Sequence, residues 1–84
     1  MAFGVYVLES AKDGKTYTGS TGGLNKRLRE HHGGKVPATR GRRPLRLLYV
    51  EEFRTRAEAV RRERYFKTPE GGVEKHRLVR ASVG

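Results

Sequence analysis

Two short runs of β-branched and aromatic residues, joined by a turn signal, constrain this chain more than any other feature. Phe3-Gly4-Val5-Tyr6-Val7-Leu8 reads as a strand. Asp13-Gly14, flanked by Lys12 and Lys15, reads as a tight hairpin turn, and Lys15 to Ser20 as the returning antiparallel strand. Side chains alternate along a strand, so Gly4, Tyr6 and Leu8 share one face while Val5 and Val7 share the other. On the second strand Tyr17 and Gly19 lie opposite Thr16 and Thr18. The hairpin therefore presents two phenols on one face, and a glycine next but one to each tyrosine leaves open space around the hydroxyls.

Beyond a Gly22-Gly23 break, Leu24 to about His32 reads as a helix with Leu24 and Leu28 on its buried face. Gly33 to Pro44 carries three glycines and two prolines and reads as a basic loop. Leu45 to Phe53 is a third strand, with Leu45, Leu47 and Tyr49 on one face and Leu48 and Val50 on the other. Apolar on both faces, it is expected at the centre of the sheet. Thr55-Arg56-Ala57-Glu58 is a capping box that starts a second helix reaching about Lys67. Thr68-Pro69-Glu70-Gly71-Gly72 ends that helix, and a short helix over Val73 to Val79 completes the chain. The expected fold is an α/β layer fold of the α+β type. A small three-stranded sheet is flanked by two or three helices, in the order β-β-α-β-α(-α). With 84 residues there is room for one domain, residues 1–84.

Charge indicates the kind of partner. The chain has 19 Lys and Arg against 9 Asp and Glu, a net charge of +10. From His31 to Val50 there are five cations (Lys35, Arg40, Arg42, Arg43, Arg46) and no acid. So uneven a distribution points to a polyanion, nucleic acid in the first instance. There is no cysteine, which excludes disulfides and thiolate-bound zinc and leaves carboxylate, imidazole or water to hold any metal. No apolar run approaches the roughly 18–20 residues needed to span a bilayer, and no secretory signal pattern opens the chain. A soluble, cytoplasmic protein is expected.

Each candidate for chemistry carries an ordinary alternative. Tyr6 and Tyr17 could be a cross-strand pair that simply packs, worth about 0.2–1 kcal/mol. Arg27 and His31, four apart on one helix face, could be solvated. They also suit a phosphate, one as a bidentate cation and the other as a proton acceptor. Glu63, four after Ala59 and three before Phe66, could be a salt-bridge partner or a single oxygen anchor for Mg²⁺. His32 and His76 call for no special role.

Together these residues spell a known pattern. Gly4-Val5-Tyr6 and Tyr17-Thr18-Gly19, with ten residues between the tyrosines, resemble the two halves of the GIY-YIG nuclease motif. Gly19-Ser20-Thr21 with Arg27-Leu28-Arg29-Glu30-His31 resembles the family's strand-to-helix segment. Thr39-Arg40-Gly41-Arg42-Arg43-Pro44 resembles its basic loop, and Ala57 to Glu63 with Tyr65-Phe66-Lys67 its glutamate-bearing helix. Val5 and Thr18 replace isoleucine, and His32 stands where relatives often carry asparagine. The resemblance covers residues 3–75 and is nearest to the short stand-alone bacterial subfamily.

What the resemblance implies is a metal-dependent endonuclease that hydrolyses phosphodiester bonds, DNA before RNA, structure-selective or weakly specific, of use in DNA repair or recombination. Glu63 would hold Mg²⁺ or Mn²⁺, Arg27 would clamp the phosphate, and one tyrosine would be the general base (Tyr6 assisted by Tyr17, or the reverse) with His31 taking its proton. Lys35, Arg40, Arg42, Arg43 and Lys67 would follow the nucleic-acid backbone. A monomer or weak dimer is expected, with a protein partner possible. The competing readings are a nucleic-acid-binding module that keeps the fold without turnover, and an adaptor that recruits a larger repair protein.

Overall fold

The structure is a computed structural model and describes residues 2–83. Strands β1 (Phe3–Ser10) and β2 (Thr16–Thr21) form the hairpin, followed by helix α1 (Leu24–His32). A single turn α2 (Pro37–Arg40), strand β3 (Leu45–Phe53), and helices α3 (Arg56–Phe66) and α4 (Pro69–Val83) complete the chain. The sheet is antiparallel throughout in the order β2-β1-β3.

The hairpin forms where the alternation places it. Tyr6 pairs with Gly19, Val7 with Thr18 and Leu8 with Tyr17. Gly14 sits at φ 72°, a conformation that a residue with a Cβ adopts only with strain. Ser10 ties the turn down: its hydroxyl donates to the Arg42 carbonyl at 2.6 Å and accepts from the Lys12 amide at 3.1 Å.

Four expectations are corrected. The central strand is β1, not β3: Val5, Tyr6, Val7 and Leu8 are at most 1% exposed, whereas Leu47 on β3 is 39% exposed. A bulge opposite Val7 and Leu8 also shifts the phase of β3. Tyr49 therefore joins Val5 on one side of the sheet, and Val50 joins Leu45, Tyr6 and Leu8 on the other. Strict alternation has no way to anticipate that switch. The basic loop contains the turn α2, begun by Pro37 at a position where a missing N–H costs nothing. Finally, Pro69 to Gly72 are the first turn of α4 rather than a break, so the last helix spans 15 residues.

The two sides of the sheet are covered differently. On the first, Leu24 and Leu28 of α1 pack against Tyr6, Leu8 and Leu45. On the second, Ala59 and Phe66 of α3 pack against Val5, with Phe3, Tyr49, Phe53, Tyr65 and Leu78 around them. Helix α3 starts as its capping box dictates, with Thr55 Oγ1 accepting from the Glu58 amide at 3.2 Å. Arg62 then clamps the second side. Its guanidinium reaches Glu51 of β3 at 2.8 and 3.1 Å and Glu74 of α4 at 2.8 Å, and it stacks over Phe66 at 4.4 Å. Tyr49 donates to Glu51 at 2.6 Å, and burial, with that bond, pushes its phenol up to about 12.

The joint between α3 and α4 depends on one small residue. A Cβ built on Gly71 would lie 1.7 Å from the Tyr65 carbonyl oxygen. Neither backbone can yield without breaking the clamp, so Gly71→Ala should destabilise the protein by about 3 kcal/mol. Thermal unfolding should show a fall in Tm on the order of 10–20 °C. A shift of under about 3 °C would mean that α4 repositions freely.

Candidate active site

On the α1 side of the sheet, Tyr6, Tyr17 and His31 form one aromatic cluster. Ring centroids are 6.4 Å apart for the two tyrosines, 5.4 Å for Tyr6 and His31, and 5.2 Å for Tyr17 and His31. The space beside Gly19 is not open, as the sequence had suggested. A Cβ there would lie 2.5 Å from the Tyr6 hydroxyl oxygen, so the phenol occupies the volume that glycine vacates.

Tyr6 and His31 are both enclosed, 1% and 0% exposed. Tyr6 Oη and His31 Nε2 are 2.8 Å apart, and His31 Nδ1 lies 2.7 Å from Thr39 Oγ1 in α2. Burial and the positive Arg27 nearby hold the His31 pKa below the ordinary imidazole range. The ring is therefore neutral near pH 7, and because both partners are hydroxyls either tautomer satisfies the two contacts; the one that donates from Nδ1 to Thr39 leaves Nε2 as an acceptor toward Tyr6. Burial raises the Tyr6 pKa, and the nearby Arg27 guanidinium acts against it. Tyr17 is half-buried.

Arg27, on α1, lines an open cleft of about 330 Å³ with Ser20, Thr21, Lys26, Glu30 and Arg56. It pairs with Glu30 at 3.2 Å. Across the β2 edge, Glu63 of α3 accepts from the Ser20 hydroxyl at 2.5 Å and from Lys67 Nζ at 2.8 Å. Burial opposes ionisation of Glu63, but Lys67 and Ser20 prevail and its pKa lies below the usual carboxylate value. One strand thus joins two helices: Tyr17 and Gly19 point toward α1, and Ser20 points toward α3.

The remaining basic residues are placed elsewhere. Arg42 pairs with Asp13 at 3.4 Å, and Arg43 donates to the Arg40 and His32 carbonyls. Lys35 and Arg40 are exposed, and none of these four lines the Arg27 cleft. Lys67 meets Glu63 rather than open solvent alone. Two partners escaped the sequence reading. Ser20 could have been found by alternation, which sets it on the side of the sheet that Glu63 faces. Thr39 could not, because its contact depends on how α2 folds back on α1.

A family model described as the GIY-YIG catalytic domain matches residues 2–75. The chain belongs to the GIY-YIG family. Its relatives include the UPF0213 protein of Bacillus licheniformis, 48% identical over 74% of this chain and 64% of that protein. Another, from Streptococcus agalactiae, is 47% identical over 75% of this chain and 72% of that protein. The chain thus spans just under two thirds of the length of the Bacillus licheniformis relative. The solution NMR structure of a UPF0213 protein from Bacillus halodurans superposes with a TM-score of 0.59 at 38% identity, covering all of this chain and 88% of that one. The three-stranded antiparallel sheet with α1, α3 and α4 is therefore a GIY-YIG fold. Among the described residues no helix is long and apolar enough to cross a membrane.

Proposed function

We propose that this protein is a divalent-metal-dependent endonuclease that hydrolyses phosphodiester bonds, with DNA as its first candidate substrate. The observation that carries this reading is the Tyr6–His31–Thr39 chain at 2.8 and 2.7 Å, set beside Arg27. A phenol is a base only once its proton has somewhere to go, and neutral His31 offers an acceptor at hydrogen-bond distance. As Tyr6 takes a proton from the attacking water its own proton passes to His31 Nε2 in the same step, so that no free phenolate, which burial disfavours, has to form first. The water oxygen bonds to phosphorus, the bond to the 3′ oxygen breaks, and that oxygen takes its proton from solvent water, while His31 returns its proton through Tyr6 to solvent as the product leaves. Arg27 holds a non-bridging oxygen, and Tyr17, the more exposed phenol, orients the water.

Glu63 is suited to a hard cation. It is ionised, partly sheltered and backed by a hydroxyl, and Mg²⁺ asks for only one or two protein carboxylates beside water and phosphate. No described cluster of three or more His, Cys, Asp or Glu residues offers an all-protein cage. When bound, Mg²⁺ or Mn²⁺ would supply charge neutralisation at the leaving oxygen. Lys67, displaced from Glu63, would then be free to meet a phosphate.

The test is cleavage of end-labelled single-stranded, duplex, flap and branched DNA, and of RNA, with Mg²⁺, Mn²⁺ or EDTA. Metal-dependent cutting should fall about 100-fold or more in Arg27→Ala. Because the active form of His31 is neutral and its pKa is depressed, kcat/KM should hold as the pH drops through 6.5 and decline only below it. Tight binding without cutting of any substrate would instead establish a non-catalytic module.

A further inference from the structure

Lys75 of α4 is a half-buried cation with no ion-pair partner among the described residues. Its ammonium donates to Thr18 Oγ1 at 3.2 Å and lies 3.5 Å from Thr16 Oγ1, both on the α4-facing side of β2. It takes part in none of the described ion pairs. Burial, then the neighbouring Lys67, depress its pKa, as expected for a charge denied an anion. It lines an open cleft of about 420 Å³ with Thr16, Tyr17, Lys67, Thr68 and Gly72. Among the described residues no acid lines that cleft, and Lys67, which donates to Glu63, connects it to that carboxylate.

The spacing is set by the strand. Ser20, Thr18 and Thr16 form one row of hydroxyls along β2, two residues apart, so neighbours stand about 6.7 Å from each other. Glu63 rests on the first of the row and Lys75 on the next two. That interval is of the order of the distance between successive phosphates on one nucleic-acid strand.

We propose that Lys75, positioned by Thr18, binds the backbone phosphate adjacent to the scissile one, so that the substrate strand runs along the free edge of β2 from Glu63 toward α4. The role rests on the phosphodiester reading above and adds a second anchoring point to it. A phosphate in this cleft receives charge from Lys75 and, once released from Glu63, from Lys67. Such a contact fixes the register of the strand and reads no sequence. It also assigns strand-tracking to the β2–α4 cleft, whereas the loop arginines Arg42 and Arg43, outside that cleft, meet Asp13 and main-chain carbonyls.

The experiment reads binding rather than cutting. A fluorescent single-stranded oligodeoxynucleotide is titrated by anisotropy at several salt concentrations, in a Glu63→Gln background that prevents cleavage. Lys75→Gln should weaken binding on the order of fivefold and reduce the slope of log K against log salt by about 0.7, while Lys75→Arg restores both. A set of oligonucleotides, each with one phosphate neutralised as a methylphosphonate, should contain one position that weakens the Lys75 protein but costs the Lys75→Gln protein nothing further. With Glu63 intact, that position should adjoin the cleaved bond. An unchanged salt slope in a Lys75→Gln protein with wild-type melting temperature would overturn the proposal, as would a methylphosphonate penalty equal in both proteins at every position. A failure of the nuclease reading shows differently, as no metal-dependent cutting while the binding differences persist.

Discussion

Glu63→Gln should reduce metal-dependent cleavage about 1000-fold or more while leaving the fold and nucleic-acid binding intact. Glutamine keeps the shape and can still accept from the Ser20 hydroxyl, now 2.5 Å from the carboxylate. What it removes is the charge that a cation and a developing oxyanion require, a loss of several kcal/mol in the transition state. The ion pair with Lys67 also disappears, but an i,i+4 pair whose lysine is 54% exposed contributes only about 0.3–0.5 kcal/mol. Melting should therefore stay near that of the wild type. Binding should hold or tighten, since one negative charge leaves the path of a polyanion. A loss of under about tenfold in kcat would remove Glu63 from the chemistry.

Gly19→Ala should be the substitution most damaging to activity among residues that carry no functional group. The added carbon would stand 2.5 Å from the Tyr6 oxygen, 2.7 Å from its Cζ and 3.2 Å from Cε2 of Tyr17. The Tyr6 ring is enclosed by the hairpin and α1, so relief comes only by driving its hydroxyl away from His31. Cleavage should fall about 100-fold or more, with a stability loss of about 1–3 kcal/mol. Adding Tyr6→Phe separates the two effects. Without the hydroxyl the clash is eased, so unfolding in urea should show part of the stability recovered while activity stays absent. If Gly19→Ala cleaves normally, the hydroxyl has room elsewhere and the relay through His31 is not needed.

How much of this could be read before the structure follows from the range of each interaction. The hairpin was legible because Asp13-Gly14 and the alternation around Tyr6 and Tyr17 are local signals. So was the start of α3, where Thr55 and Glu58 meet within one turn. Glu63 was legible in outline, because Ala59 and Phe66 fix which way that helix faces. The position of β3 was not. Its apolar run suggested a strand buried on both sides, but a bulge lets an edge strand supply both sides in turn. Thr39 and Lys75 were equally hidden. The first contacts His31 through a turn concealed in a Gly- and Pro-containing loop, and the second meets Thr18 across 57 residues of sequence. The length of α4 was misjudged because two glycines resemble a break. Gly71 is instead demanded by the approach of Tyr65.

That β2 is an edge strand has a consequence for inhibition. The outer side of its six residues has no neighbour in the sheet. An extended peptide could pair with that side as a fourth strand, in the manner of other edge-recognising ligands. It would lie over Tyr17 and the Arg27 cleft on one face and over Glu63 and Lys75 on the other, closing both routes at once. A blocker for this fold therefore calls for a matching backbone along a strand rather than a small molecule shaped to a deep pocket.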